Sequence, residues 1–198
     1  MRIIQLQRNP ATYTCRSYLI LGDWNQIDAV NTLIDPGTDG FIMREIDSIY
    51  TGCGKVPVEQ VLLTHNHFDH AASAELFKQK YNATVYGWVP GPGVDLLLKD
   101  NQVLKAGDDY LDVLHTPGHS SDSVSFYCQS QKLLFSGDTQ LRIRTPGGKY
   151  TRDYVETLIK LANKDIEIVY PGHDDPFNHD VRAIILDTLQ NVRNSEII

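Results

Sequence analysis

At 198 residues and 22.3 kDa the chain is long enough to bury one substantial core, and its 41% hydrophobic and 22% charged composition is that of an ordinary globular protein. A net charge of −7 and a pI near 5.4 weigh against a general nucleic-acid or anionic-membrane surface. No apolar run approaches membrane-spanning length, the first ten residues lack a signal-peptide core, and Cys15, Cys53 and Cys128 form no disulfide or zinc-ribbon pattern, so a cytoplasmic protein with reduced thiols is expected.

In chain order, strand-like segments occupy 2–7, 17–21, 29–34, 60–64, 84–88, 110–115, 123–128, 132–136 and 167–170. Helical patterns fit 41–51, 71–80, 152–161 and 181–192, the last with Val181, Ile184, Ile185, Leu189 and Val192 near helical spacing. There is no internal repeat, linker or low-complexity tract, and one domain over 1–198 is expected.

The densest chemical signal follows the apolar run Val61-Leu62-Leu63. There, His65, His67, Asp69 and His70 stand within six residues. Neutral imidazole nitrogen is a good ligand for a divalent transition metal, whereas crowded histidines without a metal repel whenever protonated. A strand ending at Thr64 lets an irregular turn aim His65 and His67 at one point, with Asp69 and His70 where the next helix begins. Read singly, these would be exposed loop histidines and an N-cap aspartate; read together they are a metal site. Three further apolar runs end in the same way, at His119 after Thr116-Pro117-Gly118, at Asp138 after Ser136-Gly137, and at His173 after Pro171-Gly172. Gly and Pro there break each strand and let a polar side chain project from its end.

These residues, in this order, resemble the metallo-beta-lactamase-fold hydrolases. The resemblance implies an α/β (α+β) four-layer helix-sheet-sheet-helix sandwich with the site on one edge. It also implies that His65, His67 and His119 hold one metal, that Asp69, His70 and His173 hold a second, and that Asp138 bridges the two. Antibiotic-hydrolysing members usually carry a cysteine in place of Asp138 and often lack the histidine of position 70, which puts this chain with the broader hydrolase branch. Two ions about 3.5–4 Å apart can share a water and lower its pKa toward neutrality, giving hydroxide as the nucleophile. One ion would polarise the scissile carbonyl and the other would steady the leaving group, with Asp69 and Asp138 as the catalytic carboxylates and Asp69 orienting the hydroxide. Nitrogen and oxygen ligands suit Zn first, with Fe or Mn as alternatives.

The expected activity is hydrolysis of a small-molecule ester, thioester or lactone, in the manner of the glyoxalase II-like branch. In that branch the bridging aspartate sits in G-D-T-L-F followed by a G-x-G-R-like segment. Here Gly137-Asp138-Thr139 keeps the opening and Gln140-Leu141-Arg142 departs from it. The helical glutathione-gripping domain of the long forms has no room before Ile198, which weighs against glutathione specificity while leaving a hydroxyacylglutathione hydrolase-like enzyme as the expectation. The alternatives are a mononuclear-iron persulfide dioxygenase and a metal-dependent nuclease, the latter disfavoured by the acidic balance. The resemblance also makes Asp35, in Ile34-Asp35-Pro36-Gly37, a support for the metal loop, against the reading as a plain turn aspartate. Arg142, Arg144, Lys149 and Arg152 are either an anion clamp or a solvated loop, and Tyr150 and Tyr154 are oxyanion donors or not. Residues 87–95 are a lid or a surface loop. His115 is read as a supporting or structural residue, and His179, in a polar loop, either lines the pocket or is a plain surface residue, with the plain readings favoured for both.

Overall fold

The computed structural model describes residues 1–24 and 26–198. The first sheet runs β1 (Arg2–Gln5), β2 (Tyr18–Leu21), β3 (Thr32–Ile34), β4 (Gln60–Leu62), β5 (Thr84–Gly87) and β6 (Leu96–Leu97) in spatial order, with β1, β2 and β3 antiparallel and β3 to β6 parallel. The second contains β7 (Val103–Ala106), β8 (Asp109–His115), β9 (Val124–Cys128) and β10 (Leu133–Gly137) as an antiparallel meander. Beyond the strand pair β11 (Lys149–Tyr150) and β13 (Glu196–Ile197), β12 (Ile168–Pro171) joins this second sheet parallel to β10.

Strand alternation sorts the apolar side chains into three cores. Tyr18, Ile20, Ile34 and Leu62 face Leu111, Val113, Phe126 and Phe135 between the sheets. Leu19, Leu33, Val61 and Val85 turn the other way, against α1 (Met43–Ser48) and α3 (Ala74–Tyr81) through Ile46, Ala74 and Phe77. On the far side Leu114, Tyr127, Leu134 and Val169 pack under α4 (Arg152–Ala162) and α5 (Val181–Arg193) through Leu158, Leu161, Ile185 and Leu189. The result is the expected α/β order of helix, sheet, sheet, helix.

Three expectations are corrected. The helix predicted over 41–51 is a 3-10 turn at Gly40–Ile42, capped by the Asp39 carboxylate, followed by the short α1; the chain is extended again at Ile49, where a β-branched residue leads toward Gly52. The helix predicted over 71–80 is two, α2 (Phe68–Ala71) and α3. Between them the Ser73 hydroxyl bonds to the carbonyl oxygens of Pro36 and Gly37, diverting the backbone to the turn that carries Asp35. The two-residue strands β6, β11 and β13, together with β7, lie outside the predicted strand segments.

β8 and β10 are both antiparallel to β9 and so run the same way, and β12 is parallel to β10. Their C-terminal ends therefore lie on one edge of the second sheet. The end of β4 reaches that edge through the Val124 N–H to Thr64 carbonyl bond of 2.8 Å. Four separated strand ends are brought together by topology alone. Phe126→Ala, in the fully buried core between the sheets, is expected to cost about 3–5 kcal/mol in denaturant unfolding, whereas Leu186→Ala on the exposed face of α5 stays within about 0.5 kcal/mol.

Candidate metal centre

The loop after β4 is fixed from beneath by Asp35. Its carboxylate, at the end of β3, accepts from the Thr64 N–H at 2.7 Å, from the Thr64 hydroxyl at 2.7 Å and from His70 Nδ1 at 2.8 Å. Asp35 adopts the left-handed backbone region, which Asp tolerates better than most residues. Holding His70 by Nδ1 leaves its Nε2 turned inward. Asp35 is thus the loop support that the resemblance implied.

His65, His67 and His119 offer ring nitrogens that all lie within 4.8 Å of one another, and so do the ligand atoms of Asp69, His70, Asp138 and His173. All seven residues singled out in the sequence come together. Asp138 stands between the groups: its Oδ1 is 3.2 Å from His70 Nε2, and its Oδ2 is 3.5 Å from both His119 Nε2 and His173 Nε2. His173 Nε2 also lies 3.0 Å from Asp69 Oδ2. Yet among the described residues His65 Nε2, His70 Nε2, His173 Nε2 and Asp138 Oδ1, all buried, find no hydrogen-bond partner. Buried polar atoms are rarely left so. At these separations without hydrogen-bond alignment they aim at common points and not at each other, which is the arrangement a metal requires. Gly172 makes the close approach possible, because a Cβ there would strike Asp138 Oδ1 and the His70 ring.

One part of the frame carries no signal in the sequence. Residues 13–16 run between two of the ligand loops: the Cys15 N–H donates to the Asp69 carbonyl at 3.0 Å, the Arg16 N–H to the Gly172 carbonyl at 2.6 Å and Arg16 Nε to the His173 carbonyl at 3.2 Å. Tyr13 lies against the His173 ring, centroids 5.3 Å apart and planes 20° from parallel. Asp122, equally unmarked, accepts from the Asn66 N–H at 2.9 Å and so ties the His119 loop to the His65–His70 loop. These contacts join residues more than fifty positions apart, and no local spacing announces them.

The family model of the metallo-beta-lactamase superfamily matches residues 14–87 and 89–173. The chain belongs to the metallo-beta-lactamase superfamily. It is 29% identical over 165 residues to a probable hydroxyacylglutathione hydrolase of Schizosaccharomyces pombe, covering 80% of this chain and 63% of the relative. Over 150 residues it is 30% identical to an atrochrysone carboxyl ACP thioesterase of Aspergillus fumigatus, covering 73% of this chain and 47% of the relative. The chain therefore spans less than two thirds of either protein. Its fold is like that of a metallo-beta-lactamase family protein from Thermus thermophilus, with a TM-score of 0.72 at 24% identity over 96% of this chain and 80% of that one.

In this superfamily member the remaining sequence candidates fall away from the seven or stay beside them. Arg142 covers the Phe177 ring at 3.6 Å. With Arg144 and His179 it lines a cavity of about 500 Å³ that includes none of the seven. Arg152 opens α4. The four cations are therefore split, and the one on the site's own flank is Lys149. It lines a cavity of about 280 Å³ with Gly118, His119, Gln140, Tyr150 and Tyr154, and pairs with Glu196 at 2.9 Å. The Tyr154 hydroxyl is committed to the Gln140 carbonyl, and burial pushes its pKa well above the usual phenol range, which leaves Tyr150 as the available hydroxyl. Residues 87–95 are clamped and do not form a free lid. Gly91 abuts Asn66, Gly93 abuts α3, and Asp95 accepts from the Val85 N–H at 3.0 Å. His115 stacks on Trp88 with centroids 4.2 Å apart and bonds to the Ser121 carbonyl, away from the seven.

The two groups differ electrostatically. Burial, reinforced by the charge of His70, pushes the His65 pKa down to about 4, and burial also lowers that of His119. Burial acts to lower His70, but the Asp35 carboxylate and the contacts to Asp138 outweigh it and hold its pKa well above the usual imidazole value. Its contact with Asp138 raises His173. Burial would raise Asp138, yet His173 and His70 together hold its carboxyl well below the ordinary range.

Two outcomes follow. Asp35→Asn, which keeps the side-chain shape but replaces one accepting oxygen with a donor, is expected to weaken divalent-metal affinity by about 10–100-fold, measured by competition with a chelating dye. In metal-free protein His65 is neutral when folded and charged when unfolded between its folded pKa of about 4 and an unfolded value of about 6.5. Its contribution to stability is thus complete above about 6.5 and lost as the pH falls toward 4, while His70 and His173, raised, contribute with the opposite sign. Comparing wild type with His65→Gln isolates the first effect. The variant should lose stability less steeply across that window, by up to about 1.4 kcal/mol per pH unit in urea titrations.

Proposed function

We propose that the chain is a metal-dependent hydrolase of a small thioester, with esters and lactones as the neighbouring substrate classes. In this reading His65, His67 and His119 hold one divalent ion, Asp69, His70 and His173 hold a second, and Asp138 serves both. The observation that carries it is a cluster of four buried ligand atoms left without hydrogen-bond partners among the described residues, His65 Nε2, His70 Nε2, His173 Nε2 and Asp138 Oδ1, with Asp138 3.2–3.5 Å from His70, His119 and His173. Imidazole and carboxylate donors with no thiolate among the seven suit zinc, iron or manganese, and zinc is our assignment. When bound, such ions supply a water activated near neutral pH and polarise the scissile carbonyl.

The chain's own residues do the rest. Asp69, its Oδ2 held beside His173 and His70, orients the attacking water by accepting its proton in a hydrogen bond. Asp138 stands 3.2–3.5 Å from His70, His119 and His173, which places one carboxylate beside both groups of ligands. Lys149 and Tyr150, on the His119 side, face the leaving group. Hydrolysis places the hydroxyl of water on the acyl carbon and its proton on the departing thiolate, so neither an oxidant nor a nucleophilic side chain is needed.

The thioester is preferred over other acyl compounds because two of the relatives are described as a hydroxyacylglutathione hydrolase and an ACP thioesterase, which share an acyl group and not a carrier. We assign a small-molecule substrate and no nucleic acid, in keeping with the charge of −7. We place the protein in the cytoplasm, where its three unpaired cysteines would stay reduced. Among the described residues no helix is long and apolar enough to cross a membrane.

Elemental analysis followed by a panel of thioesters, lactones and phosphodiesters tests the reading. His67→Ala and Asp138→Ala are expected to lower metal content and to cut kcat by at least about 100-fold together. A purified, folded protein that binds no metal would overturn it. Oxygen uptake with a persulfide by an iron-loaded form would replace hydrolysis with dioxygenation.

A further inference from the structure

The mouth of the site has two unlike sides. On the His119 side the cavity is polar, lined by Gln140, Lys149 and Tyr150. Two large aromatic rings lie on the His173 side in contact with solvent, Tyr13 at 66% and Phe68 at 61% exposure. Their centroids are 6.2 Å apart with the planes tilted by 40°. Tyr13 lies against His173, and Phe68 falls between His67 and Asp69 in the chain.

Neither ring sits on loose backbone. The Tyr13 carbonyl accepts from the Thr38 hydroxyl at 2.6 Å, and the neighbouring Thr14 hydroxyl accepts from the Thr38 N–H at 3.1 Å. The Cys15 bond to Asp69 ties this segment to the helix that carries Phe68. Two exposed rings carried on tied backbone offer apolar area beside the site, and covering them with a ligand gains both buried area and ring-to-ring contact.

We propose that Tyr13 and Phe68 seat the acyl group of the substrate, so that the chain selects thioesters whose acyl part is a ring or another bulky apolar group. The inference rests on the thioesterase reading and sets the substrate's direction. His119 and His173 both lie 3.5 Å from Asp138 Oδ2, so the polar cavity and the aromatic rim flank the same carboxylate. A thioester with its carbonyl there extends its thiol portion toward Lys149 and Tyr150, and its acyl portion over Tyr13 and Phe68.

The test compares S-phenylacetyl and S-acetyl N-acetylcysteamine as substrates for the metal-loaded enzyme, with the metal content of each variant measured alongside. Wild type is expected to favour the phenylacetyl compound in kcat/KM, mainly through KM. The ratio should drop about tenfold in Tyr13→Ala with Phe68→Ala, and Tyr13→Phe should restore most of it in the Phe68 background, since the ring and not the hydroxyl makes the contact. An equal rate on both compounds in wild type overturns the acyl seat, as does an unchanged ratio in the double variant. Hydrolysis of neither compound overturns the thioesterase reading instead. In that case calorimetry with the ketone analogue of the phenylacetyl compound, CH2 replacing sulfur, decides the seat separately: binding weakened by the double substitution supports it, and absent or unchanged binding refutes it.

Discussion

The three hydrogen bonds received by the Asp35 carboxylate organise the site. A single buried side chain at the end of β3 holds the backbone of Thr64, its hydroxyl, and the His70 ring, and so sets where the His65–His70 loop leaves the first sheet. A buried carboxylate is costly unless it is fully hydrogen-bonded, and here the donors that satisfy it are the groups that need positioning. Its demand for donors and the loop's demand for an anchor are met by one contact. The same bonds fix the His70 tautomer and present Nε2 to Asp138.

Around this anchor the fold works as a device for collecting strand ends. Three strands of the second sheet run the same way and deliver His119, Asp138 and His173 to one edge, and the first sheet brings its own loop there through the bond between Thr64 and Val124. The cores hold this edge at a fixed distance from both helical layers, because each strand commits one row of side chains to the inter-sheet core and the opposite row to helices. Close approach at the edge then needs particular small residues. Gly172 leaves room for the Asp138 carboxylate, and Gly137, at positive φ, tucks its backbone against Thr64.

Electrostatics divide what geometry brings together. Burial lowers the pKa of His65, while the carboxylates of Asp35 and Asp138 raise those of His70 and His173, and these two imidazoles in turn hold the Asp138 carboxyl below the ordinary range. Loading with a divalent ion requires imidazoles free of protons, so metal binding at this centre is expected to be pH-dependent. Asymmetry extends outward, with Lys149 and Tyr150 on one flank and Tyr13 and Phe68 on the other. A substrate with one polar and one apolar end matches such a mouth.

Much of this was legible in the order of residues along the chain. His65, His67, Asp69 and His70 are near neighbours, and His119, Asp138 and His173 each follow an apolar run broken by glycine, because a side chain can project from a strand end only where the backbone turns. The longer strands and α4 and α5 could be read from periodicity, since each buries one face. The break between α2 and α3 could not: Ala71 to Lys80 favour helix throughout, and only the pull of Ser73 toward Pro36 and Gly37, contacts across thirty-six residues and more, interrupts it. The cations after Asp138 look like one cluster in sequence, yet folding separates Arg142 and Arg144 from Lys149. Tyr13, Cys15, Arg16 and Asp122 enter the site through contacts with distant loops, several of them to backbone groups that every residue type carries. The sequence therefore determined which chemical groups were available and that they end strands; tertiary structure decided which of them share a point in space, because packing the two sheets, and no local pattern, sets the distances between those ends.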